Sequence, residues 1–460
     1  MKSIGNLRGK KVLIMGLGLH GGGVAAARFC VEAGAHVSIT DLRDEKTLQP
    51  SLDKLKGLSN IEFILGTHRE EDFKKADIVI KNPGVPKSSP FLKLAKCVET
   101  DISLFLRFSS SPVLAVTGSK GKSTTVSALH HILSASFPDA RLGGNITHSP
   151  LNFLKDLKGW EPVVLELSSW QLGDLQGKGL LNPRISLLTN IYPDHQNSYL
   201  SMQEYVEDKL NICLEQSEDN IFLYPAEDPW GPWCAKRTRA RTIAFYMDSE
   251  PEKNKDGLFF KKSSAILRYE GKERELFSGE LKIPGKHNRI NIACAAAMAY
   301  LYGIDRKTIE ERAKDFSGIP HRLEYIGNIN GVRCYNDSAA TIPDAVVAAV
   351  SSFSETVHLI TGGTDKNLDL SPYIRLKDRG NNIYLISGSA TNRLVPILIK
   401  QGIQFKGPFM SLEDAIEAAI SQAKIGDVLL FSPGAASFEM FKHEFDRGDT
   451  FRKLILEKSV

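Results

Sequence analysis

No apolar run in this 460-residue chain approaches the ~20 residues that a membrane-spanning helix needs. No run of lysine or arginine is long enough to build an extended basic patch, and the net charge is only +4. The first absence excludes a helical membrane anchor. The second argues against a nucleic-acid partner, which calls for a concentrated positive face. Cysteine is sparse too. Its six copies (Cys30, Cys97, Cys213, Cys234, Cys294 and Cys334) are scattered and never fall into a C-x-x-C pair. That leaves no zinc-ribbon spacing and no disulfide framework, and reads as reduced, mostly buried thiols in a cytoplasm. Lys10 and Lys11 ahead of the apolar stretch 12–19 resemble a secretory leader. The stretch is too short, however, and runs into glycines rather than a small-residue cleavage site. A soluble, cytoplasmic protein is expected.

Hydrophobic residues at 42% and charged residues at 24% are the ordinary balance of a globular chain, and the length suggests about three domains of roughly 150 residues. The first segment opens with a buried strand over 11–15, then Gly16-Leu-Gly18-Leu-His-Gly21, a helix over 23–33, and a strand over 36–40 that ends at Asp41, twenty residues beyond Gly21. Strand, glycine turn, helix, strand and acidic residue make up the dinucleotide fingerprint in its required context. The same glycines could instead serve a tight turn with no ligand. A further strand over 76–81 ends in Asn82-Pro83-Gly84, again a loop where a ligand could lie.

The second segment carries the sharper signal. A strand over 113–116 leads into Thr117-Gly118-Ser119-Lys120-Gly121-Lys122-Ser123-Thr124, and a helix follows over 124–134. Glycines let backbone amides approach phosphate, the helix start adds its dipole, Lys122 can neutralise β- and γ-phosphates, and the Ser123 hydroxyl can ligate Mg²⁺. Val116 stands where the common phosphate loop has its first glycine, so this is a shortened variant. A strand over 162–167 carries Glu166 and then Ser168-Ser169. A strand over 185–189 leads to Asn190, Asp194 and His195. A carboxylate, an imidazole and a phosphate loop on neighbouring strand ends are what a Mg-ATP site requires. Ser201 and Glu204 have capping-box spacing, which puts Lys209 inside the following helix, where it reads locally as a solvated lysine. Residues 220–280 look irregular and polar, with short strands and no functional signal. His287 and Asn288 then stand at the start of an alanine-rich helix, as ligand contacts or as caps.

In the third segment strand after strand finishes in a small-residue loop: Asn336-Asp337-Ser338, Thr361-Gly-Gly-Thr364-Asp-Lys366, Ser387-Gly-Ser389 and Ser432-Pro-Gly-Ala-Ala-Ser437. That is the pattern of a doubly wound sheet with its ligand outside the carboxyl ends of the strands.

Taken in order, the 117–124 loop, Leu165-Glu-Leu-Ser-Ser-Trp-Gln-Leu172, Asp194-His195, Lys209, His287-Asn288, Pro320-His-Arg-Leu-Glu324, Asn336-Asp-Ser338 and Ser432–Ser437 resemble the Mur ligases, most closely the glutamate-adding MurD-type branch. The likeness spans nearly the whole chain. It implies an α/β protein of three domains: a Rossmann-like UDP-binding domain over 1–111, a central P-loop ATPase domain over 112–318 and a Rossmann-like C-terminal domain over 319–460. The resemblance further implies ATP-dependent joining of D-glutamate to UDP-N-acetylmuramoyl-L-alanine through an acyl phosphate and a tetrahedral intermediate. That reaction belongs to the peptidoglycan synthesis behind cell-wall biogenesis, cell shape and division, and a monomer is expected.

Residue by residue, the resemblance implies that Lys122 with Gly118, Ser119, Lys120, Gly121, Ser123 and Thr124 holds the ATP phosphates. It gives Ser123 and Glu166 one Mg²⁺, and His195 with a carbamylated Lys209 a second. His287, Asn288, Arg322 and Asp337 match nucleotide-binding positions. Leu19, His20, Asp41, Arg43, Gly84, Asn145 and Ser169 match the UDP-substrate region, and Thr341, Lys366 and Ser437 match the glutamate carboxylate positions. Ala339 departs from the family, which usually has lysine there, so its charge is missing or comes from another residue such as Lys120. The Gly21-Gly22-Gly23 run is also richer in glycine than usual. The competing readings are a Mur-type ligase adding L-glutamate, lysine or another amino acid, and a folylpolyglutamate-synthetase-like enzyme, which has no use for the N-terminal fingerprint. Two others are a nicotinamide dehydrogenase, which leaves the 117–124 loop without purpose, and a nucleotide-regulated binding protein without ligase activity.

Overall fold

The computed structural model describes residues 7–19, 21–146, 148–192, 199–379 and 382–459. The chain divides into two compact units, Met1–Gly279 with Asn291–Arg312, and Glu280–Ile290 with Ala313–Val460.

The first unit holds two sheets. One is wholly parallel, in the order β3 (Ile61–Leu65), β2 (His36–Asp41), β1 (Lys11–Met15), β4 (Ile78–Lys81), β5 (Val98–Glu99). Its helices are α1 (Gly22–Glu32), α2 (Glu45–Asp53), α3 (Glu70–Lys75) and α4 (Asp101–Phe108). Both β1 and β4 read as unbroken apolar runs, as strands covered on two faces must. Helix α1 buries Val24, Ala25, Ala26, Ala27 and Cys30, a small-residue face that lets it lie close to the sheet. Strand order reverses between β1 and β4, so the glycine turn and the Asn82 loop meet at the switch point where such sheets bind ligands.

The second sheet has the order β14 (Lys272–Phe277), β13 (Ser264–Tyr269), β12 (Gly257–Lys261), β11 (Arg241–Phe245), β10 (Ile221–Pro225), β9 (Ile185–Leu188), β6 (Val113–Thr117), β8 (Val163–Glu166), β7 (Arg141–Gly144). It is parallel from β7 to β12, and β13 and β14 are antiparallel. The stretch 220–280 is therefore better ordered than its sequence suggests. Its five strands extend the sheet, and its charged residues occupy the exposed edge, where pairing rather than hydrophobicity defines the element. The helices here are α5 (Lys122–Leu133), α6 (Ser169–Leu175), α7 (Met202–Leu214) and α8 (Trp230–Ala235). The unit boundaries then fall within α9 (Lys286–Tyr302) and α10 (Arg306–Asp315). Helix α5 starts two residues before the expected position 124, because Gly121 takes a left-handed conformation and caps it directly. The two sheets share one core in which Ile102, Leu104 and Phe105 of α4 pack with Leu151 and Leu165.

The second unit carries a sheet in the order β15 (Glu324–Ile329), β16 (Val332–Asn336), β20 (Val428–Phe431), β17 (Val357–Thr361), β18 (Asn382–Ile386), β19 (Phe405–Phe409), parallel except for β15. Helices α11 (Pro343–Val350) and α12 (Ser389–Gln401) help build one core against this sheet. The other core is built with α13 (Leu412–Ile420) and α14 (Glu444–Lys458). The α/β reading with Rossmann-like flanking sheets and a central phosphate-loop sheet is borne out. Among the described residues no helix is long and apolar enough to cross a membrane.

Candidate active site

The 117–124 loop leaves an interior strand of the nine-stranded sheet, β6, and is gripped from the neighbouring β9 end. Ser119 donates its amide to the Asn190 carbonyl at 2.9 Å, and the Lys120 amide donates to Asn190 Oδ1 at 2.9 Å. Thr189 Oγ1 and Asn190 Nδ2 both donate to the Lys120 carbonyl, at 2.7 and 3.1 Å. Gly118 has φ of +143°, and a β-carbon there would stand 1.9 Å from Thr189 Oγ1, so only glycine fits. The Lys122 ammonium folds back onto its own loop and donates to the carbonyls of Gly118 and Ser119 at 2.8 and 3.0 Å. A cationic group, a half-buried Ser123 and Thr124, and the backbone amides of the α5 start are thus collected in one turn.

Glu166 ends the adjacent β8. It is 1% exposed, and its Oε1 accepts from Asn145 Nδ2 at 2.9 Å. Oε2 of the same carboxylate is buried without a hydrogen-bond partner among the described residues. A buried oxygen left unsatisfied is costly, and a bound divalent cation with its water would satisfy it, so the residues present fit Mg²⁺. The following Ser168 caps α6. Its Oγ accepts the Gln171 amide, while Gln171 Oε1 accepts the Ser168 amide, which orients buried Ser169 at the helix start. The Leu-Ser-Ser-Trp-Gln stretch therefore works as a capping box that fixes the turn after Glu166.

Lys209 departs from its local reading as a solvated helical lysine. It is 2% exposed, lies 4.6 Å from the Tyr205 ring centroid, and donates to the Gly118 carbonyl at 2.9 Å. Tyr205 Oη and Ser119 Oγ stand 2.9 Å apart. Helix α7 thus reaches the phosphate loop through two side chains, one of which, Tyr205, sequence reasoning missed. Its i−4 spacing from Lys209 on one helix face was the available signal. Ser201 caps α7 as expected, but the Glu204 carboxylate reaches the Leu200 amide rather than that of Ser201. Asp194 and His195 lie outside the described residues, as does His20.

In the N-terminal sheet Gly16, Gly18 and Gly21 all have positive φ, at 90°, 65° and 88°. Asp41 is 4% exposed and turned onto this turn, with Oδ2 accepting the Gly18 amide at 3.1 Å and Oδ1 accepting the Arg43 amide at 3.0 Å. The acidic residue thus braces the glycine turn itself, whatever else it holds. Leu19 at 41% exposure and the exposed Gly84 flank the switch point, and Gly84 donates its amide to Asn82 Oδ1. Asn145 sits in the central sheet on Glu166, its own amide donating to the Glu166 carbonyl at 2.8 Å.

In the second unit the strand-end loops are tied to one another. Thr364 and Ala436 exchange two backbone bonds at 3.0 Å, and Gly434 donates to the Ala340 carbonyl at 2.9 Å. The structure thereby joins the loops that carry Thr341, Lys366 and Ser437. Lys366 is exposed, while Ser437 is 4% exposed and its Oγ is buried with no hydrogen-bond partner among the described residues. Arg447, fully buried on α14, donates to the carbonyls of Ser338, Ala435 and Ala436 and so fixes two of these loops. Ala339 is half-buried and its amide donates to the His321 carbonyl at 2.9 Å. Asn288 donates its side-chain amide to the Pro284 carbonyl at 2.6 Å, a bond that ties the turn before α9 and does not satisfy the helix-start amides, while His287 and Arg322 are exposed.

Asp337 accepts from the Ser432 hydroxyl at 2.6 Å and from the Leu323 amide at 3.2 Å. Burial pushes its carboxyl up to about 7, against the opposing pull of those two bonds and of Arg322. A carboxyl raised in the fold contributes stability that is fully present below its unfolded value and is lost as pH rises through about 7. Asp337→Asn should therefore be more stable than wild type at pH 8, by roughly 2–4 kcal/mol, with the gap closing toward pH 4. Urea melts of both proteins across that range test the sign. A gap that widens toward acid would show the carboxylate to be stabilising instead.

Matches to known proteins follow the same division. Residues 10–103 match the N-terminal domain of MurD-like Mur ligases, residues 116–299 the Mur ligase middle domain, and residues 321–434 the Mur ligase glutamate ligase domain. The chain belongs to the Mur ligase family. It is 39% identical to a UDP-N-acetylmuramoylalanine–D-glutamate ligase of Treponema pallidum, over 98% of each chain. It is 41% identical to a protein of the same name from Borreliella afzelii, over 96% of this chain and 97% of the relative. Among solved structures, UDP-N-acetylmuramate-alanine ligase from Thermotoga maritima matches with a TM-score of 0.56 at 19% identity, over 96% of this chain and 99% of that one. MurF from Acinetobacter baumannii matches with a TM-score of 0.57 at 15% identity, over 92% and 90%. These two likenesses are of fold.

Proposed function

We propose that this chain joins the amino group of D-glutamate to the alanyl carboxylate of UDP-N-acetylmuramoyl-L-alanine, converting ATP to ADP and phosphate, in the synthesis of peptidoglycan precursors. The observation that carries the reaction class is the unsatisfied, buried Glu166 oxygen on the strand beside the Lys122 loop. The choice of D-glutamate rests on the near full-length identity to D-glutamate ligases. The reading extends to a monomeric, cytoplasmic enzyme that works without nucleic acid or membrane.

An alanyl carboxylate oxygen attacks the γ-phosphorus of ATP, the bond to the β-phosphate oxygen breaks, and ADP leaves. The glutamate amine then attacks the acyl carbon and gives up a proton to solvent, and phosphate departs from the tetrahedral intermediate with the electron pair of the broken C–O bond. Lys122 and the loop amides hold the transferring phosphoryl group in line, and most of the acceleration comes from that positioning and charge neutralisation. Mg²⁺, when bound, neutralises developing phosphate charge. Ser123 and Glu166 are assigned to one ion, and His195 and Lys209, as a carbamate, to a second. Gly118, Ser119, Lys120, Gly121 and Thr124 are assigned to the phosphates, and His287, Asn288, Arg322 and Asp337 to the nucleotide. Leu19, His20, Asp41, Arg43, Gly84, Asn145 and Ser169 are assigned to the UDP-substrate, and Thr341, Lys366 and Ser437 to glutamate, with Lys366 supplying the charge.

The deciding assay is phosphate release with ATP, Mg²⁺ and UDP-N-acetylmuramoyl-L-alanine, run with D-glutamate, L-glutamate or lysine and product mass confirmed. Release that depends on D-glutamate is expected. Preference for another amine would move the specificity, and no release with any amine would sink the reaction. Lys209→Ala should be inactive and partly rescued by acetate, which restores a carboxylate to the space the side chain vacates. Full activity in that variant would remove Lys209 from the site.

A further inference from the structure

Helix α7 touches more than the phosphate loop. Beside Lys209 in sequence it carries Asp208, whose Oδ1 accepts from Lys87 at 2.8 Å, across 121 residues of chain. Lys87 belongs to the loop that follows β4, the loop of Asn82 and Gly84 at the switch point of the N-terminal sheet. The pair sits against Gly173 of α6. A β-carbon on Gly173 would stand 2.1 Å from Lys87 Nζ and 2.4 Å from Asp208 Oδ1, so the missing side chain is the notch that holds the pair. Tyr199 Oη donates to the other Asp208 oxygen at 3.0 Å and fixes the carboxylate. A second anchor lies one turn of the same loop away. Lys81 and Asp174 pair at 2.8 Å with side chains only 3% and 6% exposed, and the Lys81 ammonium also donates to the Val85 carbonyl at 2.8 Å.

We infer that α7 is a strut that couples the substrate loop 82–87 to the phosphate loop, with Lys87, Asp208 and Gly173 as positioning residues. At one end the strut ends in Lys87–Asp208. At the other it ends in Lys209 on the Gly118 carbonyl and Tyr205 beside Ser119 Oγ. The inference rests on the proposed function, since it takes loop 82–87 to contact the UDP-linked substrate. The Lys87–Asp208 pair is formed without substrate; a substrate seated on the loop steadies it further, and through it α7 holds the phosphate turn in its binding shape. Nucleotide affinity then rises with substrate bound, and by linkage substrate affinity rises with nucleotide bound. The Lys87–Asp208 pair is half-exposed and adds little to stability, so its effect shows in the coupling and not in folding. The buried Lys81–Asp174 pair has the opposite character. Removing one partner leaves a buried charge, so it anchors the loop and is unsuited to the test.

The test is calorimetric titration of a non-hydrolysable ATP analogue with Mg²⁺, with and without saturating UDP-N-acetylmuramoyl-L-alanine, on wild type, Lys87→Met, Asp208→Asn and the double variant. Substrate should tighten analogue binding in wild type. Each single variant should reduce that enhancement by about threefold to fivefold, the range a half-exposed pair can carry, with the analogue's affinity in the absence of substrate unchanged. The double variant should be no worse than either single, and Gly173→Ala should behave like Lys87→Met. The exchange Lys87→Glu with Asp208→Lys should recover part of the enhancement, which a merely structural defect would not allow. Enhancement retained in the single variants, or lost additively in the double, overturns the strut. Wild-type binding of both ligands with no mutual enhancement does the same. If wild type does not bind the UDP-substrate at all, the assigned reaction fails and takes the strut with it.

Discussion

Lys122→Ala abolishes ligation, with turnover at least about a thousandfold down, while UDP-substrate binding stays within about twofold of wild type. The two halves of this result have separate physical causes. Lys122 sits at the first position of α5, and its ammonium already lies on the Gly118 and Ser119 carbonyls, inside the turn that would wrap the phosphates. Removing it costs the site the charge at the α5 start that can follow the γ-phosphoryl group, and leaves Lys120 as the remaining cation of the 117–124 turn. It also leaves two loop carbonyls without that donor, so the turn itself loosens. Alanine is a good helix former and leaves the helix start unstrained. The UDP-substrate is assigned chiefly to the carboxyl ends of β1, β2 and β4, a different sheet with its own glycine turn, braced by Asp41 and not by Lys122, with Asn145 and Ser169 joining from the central sheet. Measuring kcat by phosphate release and substrate affinity by calorimetry separates the two. Loss of UDP-substrate binding together with activity would mean that the sheets do not work as modules. Activity within tenfold of wild type would remove Lys122 from phosphoryl transfer.

The features that the sequence made legible are those whose meaning is local. A glycine turn after an apolar strand declares itself because the turn needs glycine where it stands, as Gly118 shows against Thr189. The same holds for Ser201, whose side chain caps α7 by accepting the amide of Glu204 three residues on. Lys209 fails this test. Whether a helical lysine is solvated or buried depends on what lies across from it, and here that is the Gly118 carbonyl, 91 residues earlier. Asp41 is a subtler case. The fingerprint spacing places it correctly at the end of β2, yet both its oxygens accept backbone amides, a use that motif spacing alone does not distinguish from ribose binding. Short strands were expected over 220–280, but the sheet that β12 to β14 extend was hidden for a different reason. Their burial alternates weakly and their charges are many, so the pairing that makes them strands is visible only in three dimensions. Gly173 belongs with Lys209: nothing in its neighbourhood along the chain announces that Lys87 and Asp208 would meet above it.

Glu166→Gln should lower kcat by about a hundredfold to a thousandfold and raise the Mg²⁺ concentration needed for half-maximal activity, leaving the fold intact. The substitution is nearly isosteric. The amide oxygen can still accept from Asn145 Nδ2, so the contact that orients the side chain survives and β8 keeps its register with β6. What changes is the second oxygen, the buried Oε2, which becomes an NH₂ group. An amide nitrogen is no ligand for a hard cation, and it carries no charge to offset one. The defect should therefore be partly overcome by Mg²⁺, which separates it from a general loosening of the strand. Glu166→Ala, by contrast, also deprives Asn145 of its partner and should not respond to Mg²⁺ in the same way. Thermal unfolding adds an independent readout. A buried carboxylate oxygen without a donor is a cost to the fold in the absence of metal, so Glu166→Gln should melt at or above the wild-type temperature in chelator and lose that advantage when Mg²⁺ is added. Equal stabilisation of both proteins by Mg²⁺ would place the ion elsewhere and remove Glu166 as its ligand.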